Sequence, residues 1–181
     1  MKVTATPFEG CFVLEPQVFK DDRGFFLESY HKKKFEEAIG QSIDFVQDNQ
    51  SVSRKGVLRG LHLQTGAYAQ SKWVRVTQGE VLDVVVDLRN DSETFGQHFS
   101  LVLSGENFKS IFIPKGMAHG FLTLSEEATF AYKCDNYYHQ PSEAGILYKD
   151  ETLNIDWQFP EESVLLSPKD LALPTFKSVY S

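Results

Sequence analysis

Six short runs of apolar and β-branched residues occupy the middle of the chain, and this pattern constrains the fold more than any other feature. The runs form three consecutive pairs, and the two runs of a pair are separated by a few residues typical of turns, such as Gly, Ser, Glu or Asn. We therefore expect β-strands joined by hairpin turns. Short antiparallel strands at this spacing favour a sandwich or barrel. A barrel of this size can hold one small ligand in its mouth. The paired runs are residues 72–77 and 81–88, 99–103 and 109–113, and 120–124 and 129–134.

Helical patterns are few, and no internal repeat or low-complexity linker divides the chain. Residues 31–39, closed by Gly40, predict one helix, because glycine is the preferred residue after a helix C-terminus. Ser167-Pro168 predicts a short helix near the C-terminus, with proline in its first turn. We therefore expect a single domain over residues 1–181 that is mainly β with a few short helices.

Charge and cysteine content narrow the possible partners and compartments. The chain has 18 basic and 25 acidic residues, a net charge of −7, whereas nucleic-acid binders usually carry a basic excess. Cys11 and Cys134 are too few for a disulfide scaffold. The start MKVTATPFEG lacks the apolar region of a signal peptide, and the most apolar run, 81–88, is short and contains Asp83 and Asp87. We expect a cytoplasmic protein that binds neither membranes nor nucleic acid.

Two polar clusters interrupt the strand pattern. The first, Arg59-Gly60-Leu61-His62-Leu63-Gln64, puts His62 and Gln64 on one face of a strand. The second, Pro114-Lys115-Gly116-Met117-Ala118-His119, delivers His119 to the start of the next strand. Taken singly, each histidine is more typical of a hydrogen-bonded core residue than of a site.

Together the clusters resemble the two motifs of the cupin superfamily of small jelly-roll β-barrels. Many cupins bind a metal through H-x-H and a glutamate in the first motif and a histidine in the second. Here the second motif is intact as P-x-G-x-x-H, but Gln64 occupies the position of the second histidine of the first. Zinc and iron sites need at least three good ligands, so we expect no metal.

A closer resemblance covers nearly the whole chain, to the dTDP-4-dehydrorhamnose 3,5-epimerase family within the cupins. Several ordered and separate motifs carry it, which makes the resemblance specific for the family. They are the segments at 19–28, 45–51 and 56–62, Lys72, the His119 motif, Tyr132-Lys133-Cys134-Asp135, Tyr138, Glu143 and Ser167-Pro168-Lys169-Asp170.

The resemblance implies epimerisation of a nucleotide-linked 4-keto-6-deoxy sugar at C3 and C5, in the supply of dTDP-L-rhamnose for surface polysaccharide. Both carbons neighbour the C4 ketone, so their protons are acidic for a sugar. The reaction needs a base on one face, an acid on the other and a group that stabilises the enolate oxygen. It requires no redox cofactor or metal in principle.

The family assigns these roles to four residues. A free imidazole has a pKa of about 6.5, which suits a general base, and His62 takes that role, with Asp170 fixing its tautomer. Tyr132 is the acid on the opposite face, with Tyr138 as the alternative donor. Lys72 stabilises charge on the C4 oxygen. Without the family, each of these residues reads as an ordinary strand or turn residue.

The remaining candidates are implied to bind the substrate. Arginine suits diphosphate because its planar fork matches phosphate oxygens. Glu143 reads almost equally well as an ordinary loop carboxylate. The candidates are Phe19, Arg23, Glu28, Gln47, Asp48, Asn49, Arg59, His119, Tyr138, Glu143 and Lys169.

Two positions differ from the usual family pattern, and several other functions compete with the epimerase prediction. Leu63 stands where the family often has an aromatic residue, and Tyr148 where it often has tryptophan, so fine substrate preference can differ. The alternatives are a metal-dependent cupin oxygenase or isomerase, a non-catalytic sugar-binding module, and a single-centre epimerase or ketoisomerase on a related sugar.

The resemblance also implies a homodimer that pairs through its sheets.

Overall fold

A computed structural model describes residues 1–180. Its strands, numbered in chain order, account for most of the regular structure, and three short α-helices accompany them. The strands are β1 Lys2–Ala5, β2 Phe12–Glu15, β3 Val18–Asp21, β4 Gly24–Leu27, β5 Gln47–Arg54, β6 Leu58–Gln64, β7 Lys72–Gln78, β8 Glu80–Asp87, β9 His98–Ser104, β10 Ser110–Ile113, β11 Met117–Thr123, β12 Glu127–Cys134 and β13 Glu143–Gly145. The α-helices are α1 Lys32–Ile39, α2 Pro168–Leu171 and α3 Phe176–Tyr180.

The strands form a two-sheet sandwich of the jelly-roll kind, as the sequence predicts. One sheet has six strands in the order β1-β2-β10-β7-β12-β5, and the other has five in the order β13-β6-β11-β8-β9. All their pairings are antiparallel. Strands β3 and β4 pair with each other in a separate two-stranded ribbon. The sandwich therefore leaves one space between its sheets, where a ligand could lie.

The three predicted hairpins are wrong, although their strands and turns are present. In each pair the first and second strands belong to different sheets: β7 and β8, β9 and β10, and β11 and β12. The connecting turns are arches that cross the sandwich. Arches and hairpins use the same turn residues, so the local sequence cannot separate them. A Cβ on Gly79 would lie 2.0 Å from the carbonyl oxygen of Glu127, so the arch at 79 needs glycine.

Side chains between the sheets form the central core. It contains mostly aliphatic and aromatic residues from both sheets, among them Val74, Val85, Ile111, Phe121 and Phe130. Apolar side chains fill one part of the space between the sheets, and polar side chains line the rest of it. This change of lining marks the position of the site.

Each sheet is also covered on its outer face. The helix α1 packs Phe35 and Ile39 against Trp73 and Phe112 of the six-stranded sheet. It extends from N-cap His31 to the left-handed Gly40, as the sequence predicts. The C-terminal segment, residues 146–180, packs Trp157 and other apolar residues against the five-stranded sheet.

Backbone hydrogen bonds fasten the C-terminal segment to β6. The Leu58 N–H donates to the Leu165 carbonyl, and the Leu165 N–H donates to the Gly56 carbonyl. This attachment brings the predicted helix α2, with N-cap Ser167, to the open end of the sandwich. Within residues 1–180, no helix is long and apolar enough to cross a membrane.

Candidate active site

A cavity of about 370 Å³ opens between the two sheets, beside the apolar core. Its wall is mostly polar, and Phe121 and Phe130, whose rings stack at 4.1 Å, supply the apolar part. The full lining is Gln50, Ser51, Arg59, His62, Lys72, His119, Phe121, Phe130, Tyr132, Glu143, Ser167, Lys169 and Asp170. The cavity therefore gathers all four predicted catalytic residues.

The two sheets contribute different parts of this wall. His62 on β6 and His119 on β11 are register partners in the five-stranded sheet. Tyr132 on β12 and Lys72 on β7 belong to the facing six-stranded sheet. Groups from one sheet can thus contact one face of a bound sugar while groups from the other sheet contact the opposite face.

His62 and Asp170, 108 residues apart in the chain, form a close pair, which we call the open pair. Nε2 of His62 lies 2.5 Å from Oδ1 of Asp170. The His62 side chain is 26% exposed and that of Asp170 6%. Burial alone would raise the pKa of the Asp170 carboxyl, but hydrogen bonds from His62, Ser167 and the Gly60 N–H outweigh it and lower that pKa. An ionised carboxylate only accepts, so Nε2 carries the proton and Nδ1 is the basic nitrogen.

A second histidine–aspartate pair, which we call the buried pair, lies deeper. Nε2 of His119 is 2.8 Å from Oδ2 of Asp83, and the two side chains are 7% and 0% exposed. The other oxygen of Asp83 is buried without a hydrogen-bond partner in the described chain. The His119 ring also stacks near Phe130, with centroids 5.9 Å apart. His119 is thereby fixed on both sides and presents one edge to the cavity.

Lys72 reaches from the six-stranded sheet toward the open pair. Its Nζ donates to the backbone carbonyl oxygen of His62 at 3.4 Å. Burial lowers the pKa of the Lys72 ammonium, and the charges of Glu143 and Asp83 partly oppose this. A cation enclosed in this way is suited to stabilise negative charge that develops on a bound ligand.

Tyr132 is half-buried on the neighbouring strand, beside Phe130. Burial raises the pKa of its phenol. The phenol is therefore protonated at neutral pH and has a proton to donate.

Three side chains form a bridge at the mouth of the cavity. The Tyr138 hydroxyl donates to Oε2 of Glu143 at 2.7 Å, and Lys169 Nζ donates to Oε1 at 2.5 Å. Burial raises the pKa of Glu143, but these two hydrogen bonds outweigh it and lower the pKa overall. The same hydrogen bond raises the pKa of Tyr138. The bridge joins the loop after β12 to α2 across the mouth.

A smaller cavity of about 100 Å³ continues beside the first. Gln47 and Asn49 on β5 line it and hydrogen-bond to each other at 3.0 Å. It shares His62, Lys72, Tyr132 and Glu143 with the larger cavity. The two cavities are therefore adjacent parts of one site.

Comparison with known proteins identifies the family. The family model for dTDP-4-dehydrorhamnose 3,5-epimerase matches residues 5–178. The dTDP-4-dehydrorhamnose 3,5-epimerase of Salmonella typhimurium is 53% identical over 96% of this chain and 94% of its own length. The chain belongs to the dTDP-4-dehydrorhamnose 3,5-epimerase family. Its fold class and its nature as an isomerase, as expected from the sequence, are confirmed.

Solved structures of the family have the same fold. The enzyme of Elizabethkingia anophelis superposes with a TM-score of 0.94 at 52% identity, covering 98% of this chain and 97% of its own. The Legionella pneumophila enzyme, solved in complex with dTDP-4-keto-L-rhamnose, gives 0.93 at 50% identity, covering 97% and 93%.

The two departures from the family pattern occupy different environments. Tyr148 is buried in the core cluster under the five-stranded sheet, and its carbonyl accepts from Trp157 Nε1 at 2.8 Å. It lies outside both cavities. Leu63 borders the smaller cavity. A change in ligand preference within the family is therefore more readily linked to Leu63 than to Tyr148.

Four predicted binding residues lie outside both cavities of this single chain. Phe19 and Arg23 are on the exposed β3–β4 ribbon, where Arg23 pairs with Asp21. Glu28 pairs with Lys34 at 2.8 Å. Asp48 points to the opposite side of β5 from Gln47 and Asn49 and pairs with Lys133. Their binding roles stay predictions.

The site residues that the sequence prediction lacks include Gln50, Ser51, Phe121 and Phe130 of the cavity wall, and two partners of its histidine–aspartate pairs, Asp83 and Ser167. Asp83 was noted only as a charge within an apolar run, yet a charge in a strand that is otherwise buried needs a partner, and that was the available signal. Ser167 is predicted to begin a helix and belongs to a family motif, and the signal for its contact with Asp170 is the Ser-x-x-Asp spacing of a helix start.

Metal binding depends on clustered ligands. Among residues 1–180 no group of three or more His, Cys, Asp and Glu side chains has the arrangement for a metal ion. Gln64 instead accepts from the backbone N–H of His139 at 3.0 Å. The absence of a metal therefore stays a prediction, tested below.

Proposed function

We propose that this protein epimerises dTDP-4-keto-6-deoxy-D-glucose at C3 and C5, in dTDP-L-rhamnose biosynthesis, by proton transfer without a metal. The observation that carries the proposal is the arrangement around one cavity of His62 on one sheet, paired with Asp170 of α2, and of Tyr132 and Lys72 on the other sheet. Such a pair can accept a proton and hold the imidazolium that results. The sequence identity and the dTDP-sugar complex of the Legionella enzyme support the substrate.

Each of the four catalytic residues would have one role in the reaction. His62 Nδ1 removes the proton at C3 or C5, and the Nε2–H bond to Asp170 stabilises the charge gained. The electrons move to the C4 oxygen as an enolate, which the Lys72 ammonium stabilises. Tyr132 returns a proton to the opposite face of the carbon, and solvent restores the starting protonation states.

Substrate binding follows the shape of the site. The sugar would occupy the polar cavity, with Arg59, His119, Glu143 and Lys169 around it. The nucleotide would continue into the smaller cavity toward Gln47, Asn49 and Tyr138. To admit it, the Tyr138–Glu143–Lys169 bridge would exchange some of its internal hydrogen bonds for bonds to the ligand.

We also propose a homodimer, in the cytoplasm. The exposed aromatic side chains of the β3–β4 ribbon support this, because Phe19, Phe25 and Phe26 are 53%, 58% and 68% exposed. Exposed apolar groups of this size often mark a protein interface. A partner subunit is also the route by which Phe19, Arg23 and Glu28 could approach a site that they do not reach within one chain. Light scattering of the purified protein tests the dimer.

One experiment separates the proposed reaction from its alternatives. Proton NMR of dTDP-4-keto-6-deoxyglucose with the protein in deuterated water reports which carbons exchange. Exchange at both C3 and C5, with formation of dTDP-4-keto-L-rhamnose, is expected. Exchange at one carbon would support the single-centre alternative, movement of the ketone a ketoisomerase, and no exchange a binding module.

A further inference from the structure

Ser167 makes two reciprocal hydrogen bonds with Asp170. Its hydroxyl donates to Oδ2 of Asp170 at 2.7 Å and accepts from the Asp170 backbone N–H at 3.1 Å. We propose that Ser167 is a positioning residue for the reaction, which holds the Asp170 carboxylate so that its other oxygen faces His62. This inference rests on the proposed function, because it assumes that His62 is the base.

The bonding pattern differs from an ordinary helix start. Ser167 is the N-cap of α2, and Asp170 lies three residues later. In a capping box the acidic side chain at that position turns back to the N-cap backbone N–H. Here the carboxylate takes the hydroxyl on one oxygen and His62 on the other. The helix start therefore aims the carboxylate at the cavity as well as closing its own turn.

The strand β6 holds the carboxylate from the other side. The backbone N–H of Gly60 lies near the Asp170 carboxylate and helps to lower its pKa. Gly60 has a φ of +137°, and a Cβ there would lie 2.5 Å from the Gly120 Cα, so only glycine fits. The backbone at Gly60 therefore has little freedom to adjust. The Ser167 hydroxyl is the side-chain contact that holds Oδ2 of Asp170 while Oδ1 faces His62.

Loss of the hydroxyl should affect the chemistry more than binding. A short aspartate side chain without its Oδ2 anchor can rotate, and the Nε2–H of His62 then loses its fixed acceptor. The neutral ring would populate both tautomers, and only one of them has a basic Nδ1. Because a hydrogen bond to a charged group is stronger than one between neutral groups, we expect kcat to fall by about tenfold or more in Ser167→Ala, with KM within about twofold.

The test compares four variants of the full-length protein. Ser167→Ala and Ser167→Gly both remove the hydroxyl, but glycine is the better N-cap, so they differ in stability. Ser167→Thr keeps the hydroxyl. Ser178→Ala removes an exposed helical hydroxyl that bonds only to the Thr175 carbonyl and serves as the control. Each variant is assayed for kcat, KM and melting temperature.

The decisive measurement is the tautomer of His62 in the ligand-free protein, from long-range proton–nitrogen NMR of its ring. We expect one Nε2–H tautomer in the wild type, Ser167→Thr and Ser178→Ala, and a mixture in Ser167→Ala and Ser167→Gly. The fall in kcat should be equal in these last two, whatever their melting temperatures.

The outcomes separate this inference from the proposed function. An unchanged His62 tautomer with wild-type kcat in Ser167→Ala would overturn the positioning role and leave the epimerase proposal intact. A kcat that follows melting temperature across the variants would make Ser167 merely a helix cap, and also overturn it. If the wild type fails to exchange the sugar protons but the tautomer changes as expected, the proposed function fails and the positioning contact stands.

Discussion

The open pair, His62–Asp170, and the buried pair, His119–Asp83, use the same two residue types in one cavity but in different surroundings. Asp170 receives hydrogen bonds from His62, Ser167 and the Gly60 backbone, and its histidine is 26% exposed. Asp83 has a buried oxygen without a partner, and its histidine is 7% exposed. A carboxylate with several donors tolerates a partner that changes charge, whereas a buried and incompletely bonded one does not. We therefore propose that the open pair transfers the proton and that the buried pair maintains the shape of the cavity.

Replacing each histidine by glutamine should separate the roles of the two pairs most clearly. Glutamine keeps an amide that can bond to the aspartate but cannot act as a base. His62→Gln should lose about 10²–10⁴-fold in kcat, the usual contribution of a general base. His119→Gln should lose about tenfold or less. Deuterium wash-in at C3 and C5, with circular dichroism as the check of folding, measures both. Near-normal exchange in His62→Gln would move the base elsewhere.

The acid can be separated from the base by comparing two tyrosines. Tyr132→Phe removes only a hydroxyl, so His62 can still form the enolate while Lys72 stabilises it. We expect wash-in at C3 or C5 to persist while net inversion falls by about 10²-fold or more.

Tyr138→Phe is the matched control, because it removes a hydroxyl at the mouth. It should keep inversion and change mainly KM. Normal inversion in Tyr132→Phe, with inversion lost in Tyr138→Phe, would transfer the acid role to Tyr138.

Replacing Asp83 should reduce stability more than replacing Asp170, although Asp170 is the aspartate that matters more for activity. Asp83→Ala leaves the buried ring nitrogen of His119 without its hydrogen-bond partner, which costs up to about 3 kcal/mol. Asp170→Ala exposes its partner to the cavity and should cost about 1–2 kcal/mol. Urea unfolding of both variants measures the free energy of unfolding. A larger loss in Asp170→Ala would contradict the division into a shaping and a reacting pair.

Chelation should have the smallest effect. Nε2 of each histidine is already engaged by an aspartate, and Gln64 replaces the histidine that a cupin metal site would use. We expect unchanged epimerase activity after prolonged dialysis against EDTA. Loss of activity that a divalent cation restores would show that one of the histidines serves a metal instead.

The sequence predicted where the strands lie in the chain better than it predicted which strands pair with each other. The strands β7, β8 and β12 begin and end within a few residues of the predicted runs, because β-branched alternation is a local property. Which sheet a strand joins depends on burial of both its faces by distant segments, and no local pattern contains that. The hairpin predictions failed for this reason.

The site was predicted unevenly for the same reason. The family motifs predicted the side chains His62, Lys72, Tyr132 and Asp170 that line the cavity together. The contact between Asp83 and His119 requires knowing that Asp83 faces the interior. The binding roles of Arg23 and Glu28 stay predictions, because within the single chain these residues pair with Asp21 and Lys34 outside both cavities.

The separation of the two pairs along the chain bears on the order in which the protein folds. Asp83 and His119 are 36 residues apart on the adjacent strands β8 and β11, whereas His62 and Asp170 are 108 apart and meet only after the C-terminal segment docks. Closing the longer loop costs more chain entropy. We expect the sandwich to form before the base acquires its partner, so that in refolding of a Trp157→Phe variant the fluorescence of Trp73 recovers ahead of epimerase activity. Simultaneous recovery would show that the segment docks together with the sheets.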